Sequence, residues 1–299
     1  MNNSNREDIF KEFNDKLREN FNAIDRSSLR DRLKDIGEFY NARHLKKEEL
    51  LKYMPGSVGA VDGSVNSFGG AEPNNLSLLS ACYLPDLLRE RFDNYRLISP
   101  LVGDDISPIV ELAKLEIETA YEGIKKYNSK ALLLDGGFIR FLVADEYAFL
   151  DLIEECKIRD ALLIGVIEDI KSKQAAEGIG ESCYDREIFF GLLKKNEAFI
   201  LGKDYLKNEN IGTAYFRPAW TPEVIAIDYP ILDEGRIYAM IDLVLALTPE
   251  SSRGIPMILD MVDKYTKLSD KDMERFILTY IDEDLRRVYL DEARKKRWM

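Results

Sequence analysis

Histidine is almost missing from this chain, with His44 alone among 299 residues. A metal centre built on several imidazoles is therefore excluded. A Ser-His-Asp triad is disfavoured as well, because His44 lies in the charged helical stretch NARHLKKEELL. Cysteine is also scarce. Cys82, Cys156 and Cys183 are odd in number, far apart and without CxxC pairing, so neither a disulfide framework nor a structural zinc site is expected. They read as small buried hydrophobes. No uncharged apolar run approaches the ~20 residues of a membrane span. Residues 1–30 are polar and charged rather than signal-like, so the expected location is the cytoplasm, with no membrane partner. The motifs GxxxxGK[ST], GxGxxG after a strand, and HExxH are all lacking, so any ATP hydrolysis must come from a partner. Basic charge is in deficit too: 42 Lys and Arg face 54 Asp and Glu, a net charge of −12. That balance works against generic nucleic-acid binding, which relies on a broad basic surface.

What is present is the composition of an ordinary globular protein, 45% hydrophobic and 32% charged, long enough for a proper core. Residues 6–54 carry apolar positions at helical spacing (Ile9, Phe10, Phe13, Leu17, Phe21, then Leu29, Leu33, Ile36, Phe39) and predict an N-terminal helical arm, 1–54. Pro55 and Gly56 end it, and a single globular unit is expected over 55–299. The segment SVGAVDGSVNSF alternates as a strand does, and further strands are expected at 76–83 and 95–99. A long amphipathic helix follows from Ser107 and Pro108 to residue 127, then a strand at 131–134, a helix at 146–159 and a strand at 161–167. Three strands able to pair antiparallel, followed by alternating helix and strand, are the succession of the ribonuclease-H-like fold. The predicted class is therefore α/β, with a mixed sheet flanked by helices. Residues 174–210 read as a polar or helical insertion; strands at 213–216 and 224–227 and helices at 237–247, 255–265 and 270–281 complete the chain.

Within that frame, certain acids interrupt apolar runs. Asp62 in AVDGS and Asp135 in LLLDGG each end a buried-looking strand segment. Taken singly, Asp-Gly is more often a turn signal than a catalytic one. Two such acids on separate core strands, with a carboxylate-bearing helix between them, favour a site. On that helix Glu111, Glu118 and Glu122 fall near one side, and Glu118, next to Ile117, lies at the edge of the apolar stripe. A fourth acid comes from the helix after Pro256, where Asp260 and Asp263 share a face; Asp263 adjoins the stripe of Met257, Met261 and Val262. Asp62, Glu118, Asp135 and Asp263 thus supply the candidate catalytic and metal-ligating set, with Asp260 the alternative last member. Clustered carboxylates are hard ligands for Mg²⁺ or Mn²⁺, and two ions roughly 4 Å apart activate water and stabilise a leaving 3′ oxygen.

At these residues the chain resembles the NurA nucleases: AVDGS, Lys114-x-x-x-Glu118, LLLDGG and GIPMILDMVDKY occur in the family's order. The resemblance implies a metal-dependent DNA nuclease with two Mn²⁺ (or Mg²⁺) ions, a 5′ to 3′ exonuclease and single-strand endonuclease. It further implies DNA-end processing in double-strand break repair, a homodimer, and a HerA-type hexameric ATPase as partner. Lys171 in IEDIKSK would match a family lysine, and the segment of Tyr215, Phe216 and Arg217 a family aromatic, giving Lys171, Tyr215 and Arg217 as nucleic-acid contacts. The late family helix often bears a histidine where Asp263 stands. Two other functions fit the sequence: a non-catalytic adaptor for a translocase, suited to the acidic charge, and a ribonuclease-H-like nuclease acting on RNA or hybrids. The C-terminal RKKRW reads as a solvated terminus, with a translocase-docking or nucleic-acid role as the alternative.

Overall fold

The computed structural model describes residues 3–53, 57–85, 90–103 and 106–290. The expected boundary at 54/55 and the RKKRW segment lie outside them. The strands are β1 (Gly37–Asn41), β2 (Val58–Gly69), β3 (Asn75–Leu84), β4 (Phe92–Ile98), β5 (Ala131–Asp135), β6 (Leu162–Ile167), β7 (Glu197–Leu201), β8 (Ile211–Arg217) and β9 (Ile225–Pro230). Among the described residues they form one sheet in the order β1-β7-β8-β9-β6-β5-β2-β3-β4. The first helices are α1 (Asn3–Ala23), α2 (Leu29–Leu33) and α3 (Lys47–Leu50), then α4 (Pro108–Tyr127), α5 (Phe138–Ala144) and α6 (Glu146–Ile158). There follow α7 (Gln174–Gly178), α8 (Asp185–Phe189), α9 (Ile237–Leu247), α10 (Met257–Thr266), α11 (Asp270–Tyr280) and α12 (Glu283–Tyr289).

The half of the sheet that matters for the site is β4-β3-β2-β5-β6. Strands β2, β3 and β4 pair antiparallel, and β5 lies parallel to both β2 and β6. This is the predicted ribonuclease-H-like arrangement. Strand β5 reads ALLLD, an unbroken apolar run, because both of its faces are covered. On one face Val58, Ala60, Leu133 and Ile164 pack with Met240 and Ile241 of α9 and with Leu259 and Val262 of α10. On the other, Val61, Leu132, Leu134 and Leu163 pack with α4, α5 and α6. Helix α4 starts as the sequence implies, with Pro108 in its first turn after Ser107, and stops at Asn128 in the left-handed region (φ 52°). Its stripe of Ala113, Ile117, Ala120 and Ile124 is buried. Among the described residues no helix is long and apolar enough to cross a membrane.

The helical reading of residues 6–54 needs correction after α1. Leu29, Leu33 and Ile36 are buried in a third core with Ile188, Phe189 and Phe199, and residues 37–41 form β1. Strand β1 pairs antiparallel with β7, a strand inside the stretch expected to be an insertion. Each member of the pair is five residues long and makes sense only through the other, so neither leaves a periodic signature of its own. Only α1 stands apart, with Ile9, Phe10, Phe13 and Leu17 all exposed.

Candidate functional site

The site is organised by where β5 stops. Val61 of β2 pairs in parallel with Leu134, which sets Asp62 beside Asp135. Strand β5 ends at Asp135 while β2 runs on to Gly69, so the two carboxyls stand at the edge of a step in the sheet. Both follow the parity of Ala60 and Leu133 and so face α10. From α10, the Thr266 hydroxyl donates to Asp62 Oδ2 at 3.2 Å. After Asp135 the chain turns sharply: Gly136 has φ +99°, and its N–H donates to the Val166 carbonyl at 2.7 Å. The turn is anchored from behind by buried Asp228 of β9, which accepts the Phe138 N–H (3.1 Å), the Thr213 hydroxyl (2.8 Å) and Lys207 Nζ (2.9 Å).

The acid that α4 brings to this edge is Glu116, and the expectation of Glu118 is corrected. Glu116 is 1% exposed, whereas Glu118 points toward β4 and bonds Arg96 Nη2 at 2.7 and 2.9 Å, its side chain 49% exposed. Helix geometry explains the difference. Glu116 lies three residues after Ala113 and four before Ala120, on the buried stripe, while Glu118 is turned out of it. Room for Glu116 comes from Gly63, where a Cβ would fall 2.6 Å from Glu116 Oε1. The signal available in the sequence was an acid at a stripe position, directly before Ile117.

Asp263 is half-buried and raises the pKa of both Asp62 and Asp135 through its charge, while Lys267 Nζ stands 2.5 Å from its Oδ2. Asp260 instead pairs with Arg253 at 2.7 Å, and Arg253 also meets Glu168 Oε2 at 2.5 Å. The structure thus groups Asp62, Glu116 and Asp135, with Asp263 alongside. Of the expected nucleic-acid contacts, Lys171 is exposed after β6. The other two are corrected. Tyr215 is fully buried, donates to Asp185 Oδ2 at 2.5 Å and stacks on Phe189 at 4.2 Å, making it a core residue. Arg217 is occupied by the carbonyls of Thr221, Leu193 and Trp220 and staples a loop.

Electrostatically the group is under strain. Burial and then the Asp135 charge push the Asp62 carboxyl up to about 6. Burial pushes Glu116 up to about 8, against the pull of Arg140 and with the charges of Asp62 and Asp135 adding to it. Asp135 is raised by burial, again opposed by Arg140. Arg140 Nη2 ion-pairs with Glu116 Oε2 at 2.5 Å, while Glu116 Oε1 is buried with no hydrogen-bond partner. An ionised carboxylate buried with one oxygen unpartnered still costs free energy, which a further cation would offset. Among the described residues no three acids already stand in coordinating geometry, and Arg140 Nη2 bridges Glu116 and the Asp135 carbonyl. The donor set, four carboxylates with no sulfur or imidazole, suits a hard divalent ion.

A mixed sheet in this order, with carboxyls on two adjacent parallel strands, on the helix between them and beside a late helix, defines a ribonuclease-H-like protein. The chain belongs to the NurA domain family, whose match covers residues 56–268. It is similar to two crystal structures of NurA, one of them bound to dAMP and manganese. Each has a TM-score of 0.60 and 10% identity, covering 95% of this chain and 98% of its own. The catalytic domain of human endonuclease V also aligns, with a TM-score of 0.39 and 17% identity over 85% of this chain and 95% of its own. Among curated proteins no match is found.

Proposed function

We propose that this chain is a metal-dependent DNA nuclease whose ions, Mn²⁺ or Mg²⁺, are held by Asp62, Glu116, Asp135 and Asp263. The observation that carries the reading is Glu116: a fully buried acid within range of the charges of Asp62 and Asp135, with Arg140 at its Oε2 and no partner at its Oε1. Family membership and a NurA relative bound to dAMP and manganese support the same choice of ion and polymer. Bound ions of this kind supply a water activated for attack on phosphorus and neutralise the leaving 3′ oxygen. The chain's own part is positional. The sheet step fixes Asp62 and Asp135, α4 presents Glu116, and Thr266 orients Asp62 by its hydrogen bond. Arg140 and Lys267 stand beside the acids as cations, paired with Glu116 and Asp263.

By the same family resemblance, the proposal extends to 5′ to 3′ exonuclease and single-strand endonuclease action, DNA-end processing in the cytoplasm, a homodimer and a HerA-type ATPase partner. A second reading, a non-catalytic subunit, draws on the bridging Arg140, which already places a positive charge among the acids. Digestion of end-labelled single- and double-stranded DNA, RNA and hybrid in Mn²⁺, Mg²⁺ and EDTA separates the two. The nuclease reading expects metal-dependent loss of DNA label that disappears in Asp62→Ala. Intact label with the folded, metal-supplied protein supports the adaptor.

A further inference from the structure

Beside the acids the fold builds a cleft of about 320 Å³, lined by Glu168, Asp169, Arg186, Phe190, Thr221 and Glu223 around a floor of Val224 and Ile225, with Arg253 at its wall. Its position follows from the register. Asp135 pairs with Val166, and Ile167 pairs with Ala226. Residues 168–169 directly follow β6 and residues 221–224 directly precede β9, so the cleft opens off the same edge of the sheet as Asp135. Ligands of open α/β sheets collect at that edge, outside the carboxyl ends of the strands. Arg253 joins the two places physically: it lines the cleft, bonds Glu168 and Asp260, and its charge is felt by Asp135.

The lining decides what kind of group fits. Glu168, Asp169 and Glu223 outnumber Arg186 and Arg253, and both arginines already face acids: Arg253 meets Glu168 at 2.5 Å and Arg186 meets Asp169 at 3.8 Å. A phosphate would be repelled there. A flat, uncharged, partly apolar ring would not. Phe190 is 39% exposed at the cleft, and Val224 and Ile225 are buried beneath. The carboxylates at the rim can accept from exocyclic amino groups, as acids do from cytosine or adenine amines.

We infer that this cleft is the subsite for the base of the nucleotide next to the scissile phosphate, with the Phe190 ring as its stacking platform. The inference rests on the nuclease reading and adds to it a base-stacking residue outside the acid group. The phosphate lies at the carboxylates and the base in the cleft, which reconciles an acidic protein with a polyanionic substrate: the cleft grips the uncharged part of the nucleotide.

The test uses the full chain and a single-stranded oligonucleotide with phosphorothioate linkages, which resist cleavage, carrying 2-aminopurine in turn at each of the terminal positions. Binding to the wild-type protein should quench the 2-aminopurine at one position. Phe190→Ala should remove that quenching and weaken binding about tenfold, in line with the loss of one base–aromatic stack, and Phe190→Trp should restore both. An abasic site at the quenched position should make wild type and Phe190→Ala bind alike. Unchanged affinity and quenching in a folded Phe190→Ala protein, or no quenching at any position in the wild type, overturns the subsite. Failure of the parent reading looks different, because the wild-type protein would then leave unmodified DNA uncut in Mn²⁺.

Discussion

Arg140 Nη2 ion-pairs with Glu116 Oε2 at 2.5 Å, and the same nitrogen donates to the Asp135 carbonyl at 2.5 Å. Arg140 is therefore the counter-charge that lets Glu116 ionise inside the fold. Arg140→Gln should cost about 2 kcal/mol of stability in EDTA at pH 8. That is below the ~3–5 kcal/mol of a fully buried pair, because its side chain is about a third exposed. Urea unfolding at pH 5 and pH 8 checks this. The loss should shrink at pH 5, where Glu116 can carry a proton, and Mn²⁺ should recover most of it at pH 8.

The raised acids set a second pH dependence. Asp62 titrates at about 6 and Glu116 at about 8 in the fold, against roughly 4 in the unfolded chain. An acid whose folded pKa is raised contributes stability that is full below its unfolded pKa and is lost as pH climbs through the folded value. The metal-free protein should therefore lose thermal stability between pH 4 and 8. Glu116→Gln should flatten the upper part of that decline and raise the midpoint in EDTA at pH 8 by several degrees. Metal binding takes the ionised acids, so the Mn²⁺-induced rise in midpoint should be larger at pH 8 than at pH 6. Melting curves with and without EDTA across this range decide the point, and a parallel pH profile for the Gln variant would contradict it.

Asp228 shows how far the site reaches into the sheet. It is fully buried, and it holds Lys207, itself only 10% exposed in its side chain, together with Thr213 and the Phe138 N–H that follows Asp135. Asp228→Ala leaves Lys207 without its counter-charge and should cost ~3–5 kcal/mol, while Asp228→Asn keeps an acceptor for Phe138 and should cost less. Because the turn carrying Asp135 is loosened, Mn²⁺ affinity measured by calorimetry should fall about tenfold in the Ala variant, more than in the Asn variant. Equal affinities in two folded variants would mean that Asp228 serves the core alone.

Much of this was legible in the chain because the informative elements are long or strongly patterned. The strand order around the site followed from β2 to β6, and Asp62 and Asp135 stood out as acids closing apolar runs. Glu118 is the expected acid because it lies at the edge of the stripe and matches the family's helix glutamate; only packing shows that Glu116 is inside. Strands β1 and β7 went unread because each is short and completed by a partner far along the chain. Tyr215 is a nucleic-acid contact only by the family resemblance, and its hydroxyl is satisfied by Asp185, a partner 30 residues away. The cations around the acids, Arg140, Arg253 and Lys267, carry no motif; their role comes from distance alone.

The most direct measurement is digestion of end-labelled DNA in Mn²⁺ by three proteins: wild type, Glu116→Gln and Glu118→Gln. The buried acid predicts that Glu116→Gln loses at least about a thousandfold in rate, since it removes a hard ligand from a site that works through metal charge. Glu118→Gln should stay within about threefold of wild type, because it breaks only an exposed pair with Arg96, worth about 1 kcal/mol or less. Full activity in a folded Glu116→Gln protein, or its loss in Glu118→Gln alone, would contradict the site as built here.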